Sequence, residues 1–173
     1  LLGIKETPLM HPYNRFIKRS IDIGISLGLL VILLVPMLIV AILVKLTDWS
    51  GPIFFKQERV GEDGKTFDIY KFRSMKINAE EESGPQFASE DDPRRTLIGG
   101  LLRKTNLDEI PQIFNVLKGD MSLVGPRPHQ PREVAKYERH HKKVLTIKPG
   151  ITGWAQVNGW RGEKRKKKRI EYD

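Results

Sequence analysis

The chain has no cysteine, which excludes a disulfide scaffold and any thiolate metal site, and accords with a reducing compartment. Its four histidines, His11, His129, His140 and His141, show no metal-ligand spacing. There is no internal repeat, no glycine-rich nucleotide fingerprint and no recognisable nucleic-acid motif, which disfavours nucleic acid as a partner. Acid is in short supply too: 21 acidic against 30 basic residues leave a net charge of +9. Such an excess points to a polyanion, whether anionic lipid, nucleic acid or a phosphorylated substrate. The length, 173 residues, suits a single catalytic domain with one substantial core. The first residue is Leu1, not Met, an uncapped start that predicts a longer parent chain, with residues 1–13 as a linker from an N-terminal region.

One stretch lacks charge altogether. From Ile23 to Val44 nearly every side chain is Leu, Ile or Val, and a helix of that length reaches roughly 33 Å, enough for a hydrocarbon core of about 30 Å. The run is too long, and starts too far into the chain, for a signal peptide, and no small-residue cleavage site follows it. A simple crossing helix is one arrangement. Against it, Pro36 lies mid-run, where it removes a backbone hydrogen bond, and basic residues flank both ends: Arg15, Lys18 and Arg19 before, Lys45 and Lys56 after. Positive charge marks the cytoplasmic side, so a segment that enters, breaks at Pro36 and returns accounts for both features. Gly24, Ser26 and Gly28 form a small-residue face on which another helix could pack.

Beyond the turn-rich exit at residues 47–52, Ile53 to Gln57 reads as a strand, Glu62 to Lys65 as a turn, and Thr66 to Phe72 as a second strand completing a hairpin. Trp49, Phe54 and Phe55 suit either a membrane interface or a core. Asn78 to Arg95 is a polar surface loop, and Thr96 to Lys104 a short amphipathic helix. Leu107, Ile110, Ile113, Phe114 and Leu117 then share one helical face, with Gly119 as the stop and Thr105 or Asn106 as the cap. Pro111 fits only near the first turn, which shifts the start later. Asp108 and Glu109 fall at that helix N-terminus beside Arg103 and Lys104; by position alone they complement the macrodipole. Val124 to Pro128 is a stiff loop that presents Arg127 between two prolines. Glu133 to Val144 is expected as a polar helix. Lys148 to Gly162 is a Gly/Pro-rich loop around Trp154, Gln156, Asn158 and Trp160, with binding-site chemistry. Lys164 to Arg169 is a basic run, of the kind that is usually solvated or lipid-facing.

Three motifs carry a specific resemblance: KFRSM at Lys71 to Met75, LDEIPQIFNVLKGDMSLVGPRP at Leu107 to Pro128, and PGITGWAQVNG at Pro149 to Gly159. From about Asn14 to Asp173 the chain resembles the monotopic bacterial phosphoglycosyl transferases, and among them the hexose-1-phosphate transferases that initiate O-antigen, capsule or exopolysaccharide synthesis. The resemblance implies a mainly α fold with a small β-hairpin. A re-entrant helix-break-helix anchor over residues 14–47 would carry a compact cytoplasmic α/β catalytic domain over 48–173, with interfacial amphipathic helices. It implies location at the cytoplasmic face of the bacterial inner membrane, among anionic phospholipids, and it is compatible with a homo-oligomer.

The same resemblance implies roles for single residues. Asp108 matches the nucleophile and Glu109 the neighbour that helps to hold Mg²⁺. Lys71, Arg103 and Arg127 match basic positions near the phosphates of a UDP-sugar donor, and Asp173 another acidic position of the active site. Gln156 lies in a motif with substrate-binding chemistry, and Pro36 is the membrane break. A carboxylate attacking a diphosphate is repelled until cations neutralise the charge, which Mg²⁺ with Lys or Arg accomplishes. The acyl-phosphate so formed splits the transfer into two displacements, ending on undecaprenyl phosphate. Three departures stand out against the family: Val35 precedes Pro36 where relatives often have serine, the stretch from Gly162 to Ile170 is short and lysine-rich, and the chain stops at Asp173 where relatives continue. The competing reading is a membrane-anchored module that binds anionic lipid without chemistry. No residue distinguishes glucose, galactose or N-acetylhexosamine as the sugar.

Overall fold

The computed structural model describes residues 11–77, 79, 92–135, 137 and 141–159. The described chain is mainly helical with two small sheets. It divides into two compact units: one comprises Leu1–Val31, Glu58–Asp68 and Ile113–Asp173, the other Ile32–Gln57 and Ile69–Gln112.

The apolar run folds as α1, Pro12–Thr47, a single helix of 36 residues with Pro36 inside it, so the helix continues through the position expected as its break. Among the described residues it is the one helix long and apolar enough to cross a membrane. Val31, Ile32, Val35 and Ile42 are more than half exposed, and each such side chain would gain about 1.5–3 kcal/mol by leaving water. The apolar exposure runs round most of the helix, as expected of a lipid-facing element. The burial is confined to a narrow stripe: Asp22 and Ser26 in the first half, Met37, Val40 and Val44 in the second. The small-residue face is unpacked at its glycines, because an added Cβ at Gly24 or Gly28 would meet nothing within 4 Å.

Polar side chains moor the start of α1 within the first unit. Asp22 accepts from Ser122 Oγ at 2.8 Å and from the Leu123 amide at 3.2 Å, and Lys18 lies 3.5 Å from the Asp22 carboxylate. Arg19 donates to the carbonyls of Val116 and Leu117, where a helix C-terminus leaves acceptors unfilled.

β1, Phe54–Val60, and β2, Thr66–Phe72, form the expected hairpin, with a left-handed Asp63 and Gly64 in its turn. Helix α2, Leu97–Thr105, starts on Thr96, whose hydroxyl accepts from the Gly99 amide, and ends on Asn106 in the left-handed conformation at φ 56°. Asparagine tolerates that region better than most residues. Helix α3, Gln112–Lys118, is shorter than the apolar spacing implies: the residues ahead of it form a separate 3₁₀ turn, Leu107–Glu109. Pro111 has no amide hydrogen, so a continuous helix from Leu107 would lose a bond there. Asn106 therefore closes α2 rather than capping α3. Gly119, at φ 97°, ends α3 as expected.

A second sheet was not anticipated. β3, Ser122–Val124, pairs in parallel with β4, Gly150–Thr152, inside the segment read as loop. Glycine is required at the junction, since a Cβ on Gly150 would fall 2.1 Å from the Gly125 amide nitrogen. The polar helix expected over Glu133 to Val144 is corrected: among the described residues α4 covers only Pro131–Val134, and His141–Thr146 is 3₁₀. With no apolar stripe to bury, propensity alone does not sustain a longer helix. A last short helix, α5, spans Trp154–Val157.

Candidate active site

The site assembles at the end of β2. Phe72 is buried and stacks on Phe54 with ring centroids 5.3 Å apart. Alternation along the strand turns Lys71 to the opposite face, where its Nζ donates to Glu109 Oε1 at 2.6 Å. Just past the strand, Ser74 Oγ accepts from Arg103 Nε at 2.8 Å. Gly99 allows this approach: its position lies against the Ser74 carbonyl, which also accepts from the Thr96 amide at 3.2 Å. Leu102, almost fully buried, seats α2 so that Arg103 on the adjacent position is directed by its bond to Ser74.

Asn106 turns the chain out of α2 into the Leu107–Glu109 turn. Asp108 is 93 % removed from solvent. Burial, the largest influence, raises its carboxyl above the ordinary value, and the negative charge of Glu109 adds to the rise; Lys71 and Arg103 oppose it. Arg103 is itself pushed down by burial and by the like charges of Arg95 and Arg94, and is held up by Asp108 and Asp92. Asp92 forms a close pair with Arg94 at 2.6 Å. The site is thus two adjacent carboxylates facing a lysine and an arginine, with further charge at Asp92, Arg94 and Arg95.

This geometry corrects one expectation: Asp108 and Glu109 precede α3 in a 3₁₀ turn and do not occupy its first turn. Their electrostatic support comes from Lys71 and Arg103. Sequence reasoning gives no role to Ser74, Asp92 or Arg95. Ser74 was visible within KFRSM, and the other two within the charged run DDPRR.

Lys71, Arg103, Asp108 and Glu109 all belong to one unit. Arg127 and Gln156 belong to the other, where both follow the carboxyl ends of the parallel strands, Arg127 after β3 and Gln156 after β4. Gln156 is buried; its Nε2 donates to the Ile151 carbonyl at 3.3 Å, while its Oε1 has no hydrogen-bond partner among the described residues. An orphaned buried amide oxygen is costly unless something fills it. Asp173, Trp160 and the run Lys164 to Arg169 lie outside the described residues.

Two adjacent carboxylates suit a Mg²⁺ ion, which is commonly held by one or two carboxylates together with substrate phosphates rather than by an all-protein cage. Among the described residues no cluster of three or more acidic, histidine or cysteine side chains offers such a cage. The donor set therefore fits a metal that arrives with a phosphorylated substrate, which Glu109 beside Asp108 would hold.

Residues 13–173 match the bacterial sugar transferase family, and the chain belongs to it. Among its relatives is the UDP-glucose:undecaprenyl-phosphate glucose-1-phosphate transferase of Escherichia coli K12, 45% identical over 100% of this chain and 38% of that protein. A UDP-N-acetylgalactosamine-undecaprenyl-phosphate N-acetylgalactosaminephosphotransferase of Aeromonas hydrophila is 45% identical over 86% of this chain and 36% of its own length. The undecaprenyl-phosphate galactose phosphotransferase of Salmonella typhimurium is 41% identical over 84% of this chain and 33% of its own length. The chain thus spans little more than a third of these relatives. Proteins named for three different sugars are about equally similar to it.

Proposed function

We propose that this chain transfers a hexose-1-phosphate from a UDP-sugar to undecaprenyl phosphate, releasing UMP. The observation that carries the proposal is the buried Asp108 beside Glu109, faced by Lys71 and Arg103, in a family whose members are named for that reaction.

Lys71 and Arg103 neutralise the donor's diphosphate and spread the charge that grows on the phosphoryl oxygens. A carboxylate oxygen of Asp108 attacks the phosphorus that bears the sugar, the bond to the UMP oxygen breaks, and UMP leaves with the electron pair. The phosphosugar is then held on Asp108 as an acyl-phosphate. In the second step an oxygen of undecaprenyl phosphate attacks the same phosphorus, freeing the carboxylate and giving an undecaprenyl diphosphate-sugar. Glu109 would hold Mg²⁺, which when bound would supply further charge neutralisation. Arg127 and Gln156 are assigned to donor binding, as is Asp173.

The membrane arrangement is proposed as re-entrant, at the cytoplasmic face of the inner membrane and among anionic phospholipids. Asp22, within the first third of α1, is bonded to Ser122 and Leu123, and Asp48, just past the end of the helix, is bonded to Arg73. No second helix among the described residues is long and apolar enough to carry the chain across between them. The basic residues on both flanks, Arg15, Lys18 and Arg19 before and Lys45 and Lys56 after, support ends that lie on one side.

The test is a donor panel of UDP-glucose, UDP-galactose and UDP-N-acetylgalactosamine, with the chain in liposomes containing undecaprenyl phosphate. One donor should release UMP, and labelled donor alone should label the protein. Asp108→Asn should do neither. Absence of UMP with every donor, or full activity in Asp108→Asn, overturns the proposal and leaves the lipid-binding module as the better reading.

A further inference from the structure

The end of β2 and the two residues that follow it make three separate attachments. Lys71 reaches the acidic pair through Glu109, and Ser74 holds Arg103. Between them Arg73, buried, grips the exit of α1. Its Nη1 donates to Asp48 Oδ2 at 2.8 Å and its Nη2 to the Asp48 carbonyl at 2.7 Å. The Arg73 amide donates to the Ile53 carbonyl at 2.9 Å, so the backbone is tied to the same exit.

The exit is built around that grip. The Ser50 amide and hydroxyl both donate to Asp48 Oδ1, at 3.2 and 2.7 Å. The Ser50 hydroxyl, first, and then the Arg73 charge hold the Asp48 carboxyl below its ordinary value. Lys45, in the last turn of α1, donates to the Gly51 carbonyl at 3.1 Å and lies 5.4 Å from the centroid of the Trp49 ring. A Cβ on Gly51 would fall 1.6 Å from Arg73 Nη1 and 2.5 Å from its Cζ, so glycine gives the guanidinium its place. Taking an arginine out of water is costly, and an apolar residue of similar size often serves stability as well. What a planar fork adds is a fixed orientation. Here it orients the membrane helix against the segment that holds both site cations.

We propose that Arg73, with Asp48, is a positioning residue that sets the height of Lys71, Arg103 and Asp108 relative to the membrane end of α1. It thereby sets the reach of Asp108 to the phosphate of a lipid acceptor embedded in the bilayer. The proposal rests on the transferase reading and deepens it. Among the described residues the Arg73 side chain bonds to Asp48, not to the acidic pair or their cations; its effect on chemistry is through placement.

The experiment compares the full chain with Asp48→Asn and Arg73→Lys in liposomes. The first keeps the size of the acceptor, and the second keeps the charge without the fork. Labelling of the protein by donor alone should stay within about twofold of wild type. The kcat for undecaprenyl phosphate should fall about tenfold or more, the scale expected of a displacement near 1 Å. A short-chain, water-soluble polyprenyl phosphate, free to approach from solution, should be used at nearly the wild-type rate. Equal losses with both acceptors, or loss of the labelling step, assign Arg73 to site geometry or to the fold and overturn the proposal. So does an undiminished rate with both.

A second measurement is independent of turnover. Because the chain has no cysteine, a nitroxide on Lys104→Cys reports depth by its accessibility to lipid-soluble oxygen against a water-soluble nickel chelate. Both variants should shift that depth, and an unchanged depth overturns the proposal. If the wild type forms no UMP from any donor, the transferase reading fails, while the depth shift still decides whether the clasp sets the height.

Discussion

Replacing Gly99 by alanine should push α2 away from the segment after β2. The new Cβ would fall 1.9 Å from the Ser74 carbonyl oxygen and 2.7 Å from Thr96 Oγ1, where ordinary contact begins at 3.4 Å. The first of these atoms is backbone and the second is the helix cap, already engaged by the Gly99 amide, so neither can swing aside. The helix must back off by about 1.5 Å. Gly99 and Arg103 are four residues apart on one face of α2. The same movement therefore stretches the 2.8 Å bond from Arg103 to Ser74 beyond hydrogen-bonding range. Overpacking of this kind costs about 1–3 kcal/mol of stability, and misplacing a charge-neutralising group by that distance lowers the rate on the order of 10²-fold. The neighbouring glycine is the control: a Cβ on Gly100 meets nothing within 4 Å, and alanine there should stabilise the helix by about 0.5–1 kcal/mol. Thermal unfolding in detergent and UMP release, measured on both variants, make the comparison. If Gly99→Ala melts and turns over like wild type, or if Gly100→Ala is damaged equally, then the seat of α2 on Ser74 does not hold Arg103 in place.

Three further outcomes follow from the site and the anchor. Burial places the folded-state pKa of Asp108 above its unfolded value, so folding favours the protonated form. That stabilisation is full below the ordinary carboxylate range and is lost as pH rises through the raised value. Asp108→Asn, neutral throughout, should therefore gain stability relative to wild type as pH rises towards neutrality. Wild-type UMP release should fall on acidification, at a higher pH than an unperturbed aspartate would give. Unfolding curves of both proteins across that range check the first point, and a gap independent of pH refutes it. For the anchor, single cysteines at Tyr13 and Lys56 in this cysteine-free chain should both label only after cells are opened. Labelling of one from outside intact cells would establish a crossing helix.

Local features were legible because neighbouring residues produce them. An uncharged run of Leu, Ile and Val can only be a helix for lipid or a deep core, and α1 follows it. The hairpin, the start of α2 at Thr96 and the stop of α3 at Gly119 each depend on a turn or cap within a few residues. Asp108 and Glu109 could be singled out only through the motif around them, since their position alone suits a helix dipole as well as chemistry.

Pairing over long stretches of chain was decided by the fold. Lys71 and Glu109 are 38 residues apart, Arg103 and Ser74 are 29, and Arg73 and Asp48 are 25. No periodicity specifies which lysine meets which carboxylate; packing of Phe72, Leu102 and the Gly99 contact does. β3 and β4, three residues each, are too short for an alternating pattern and exist because they pair with each other across a glycine contact. The polar run after Pro131 had helical composition but no apolar face, so it had nothing to pack and stopped after one turn. Placement of Asp108 in a 3₁₀ turn rather than a helix turned on the left-handed Asn106 before it and Pro111 after it. Both residues stood in the sequence, but only burial of the turn, with Lys71 and Arg103 brought to it from other elements, makes its carboxylate unusual.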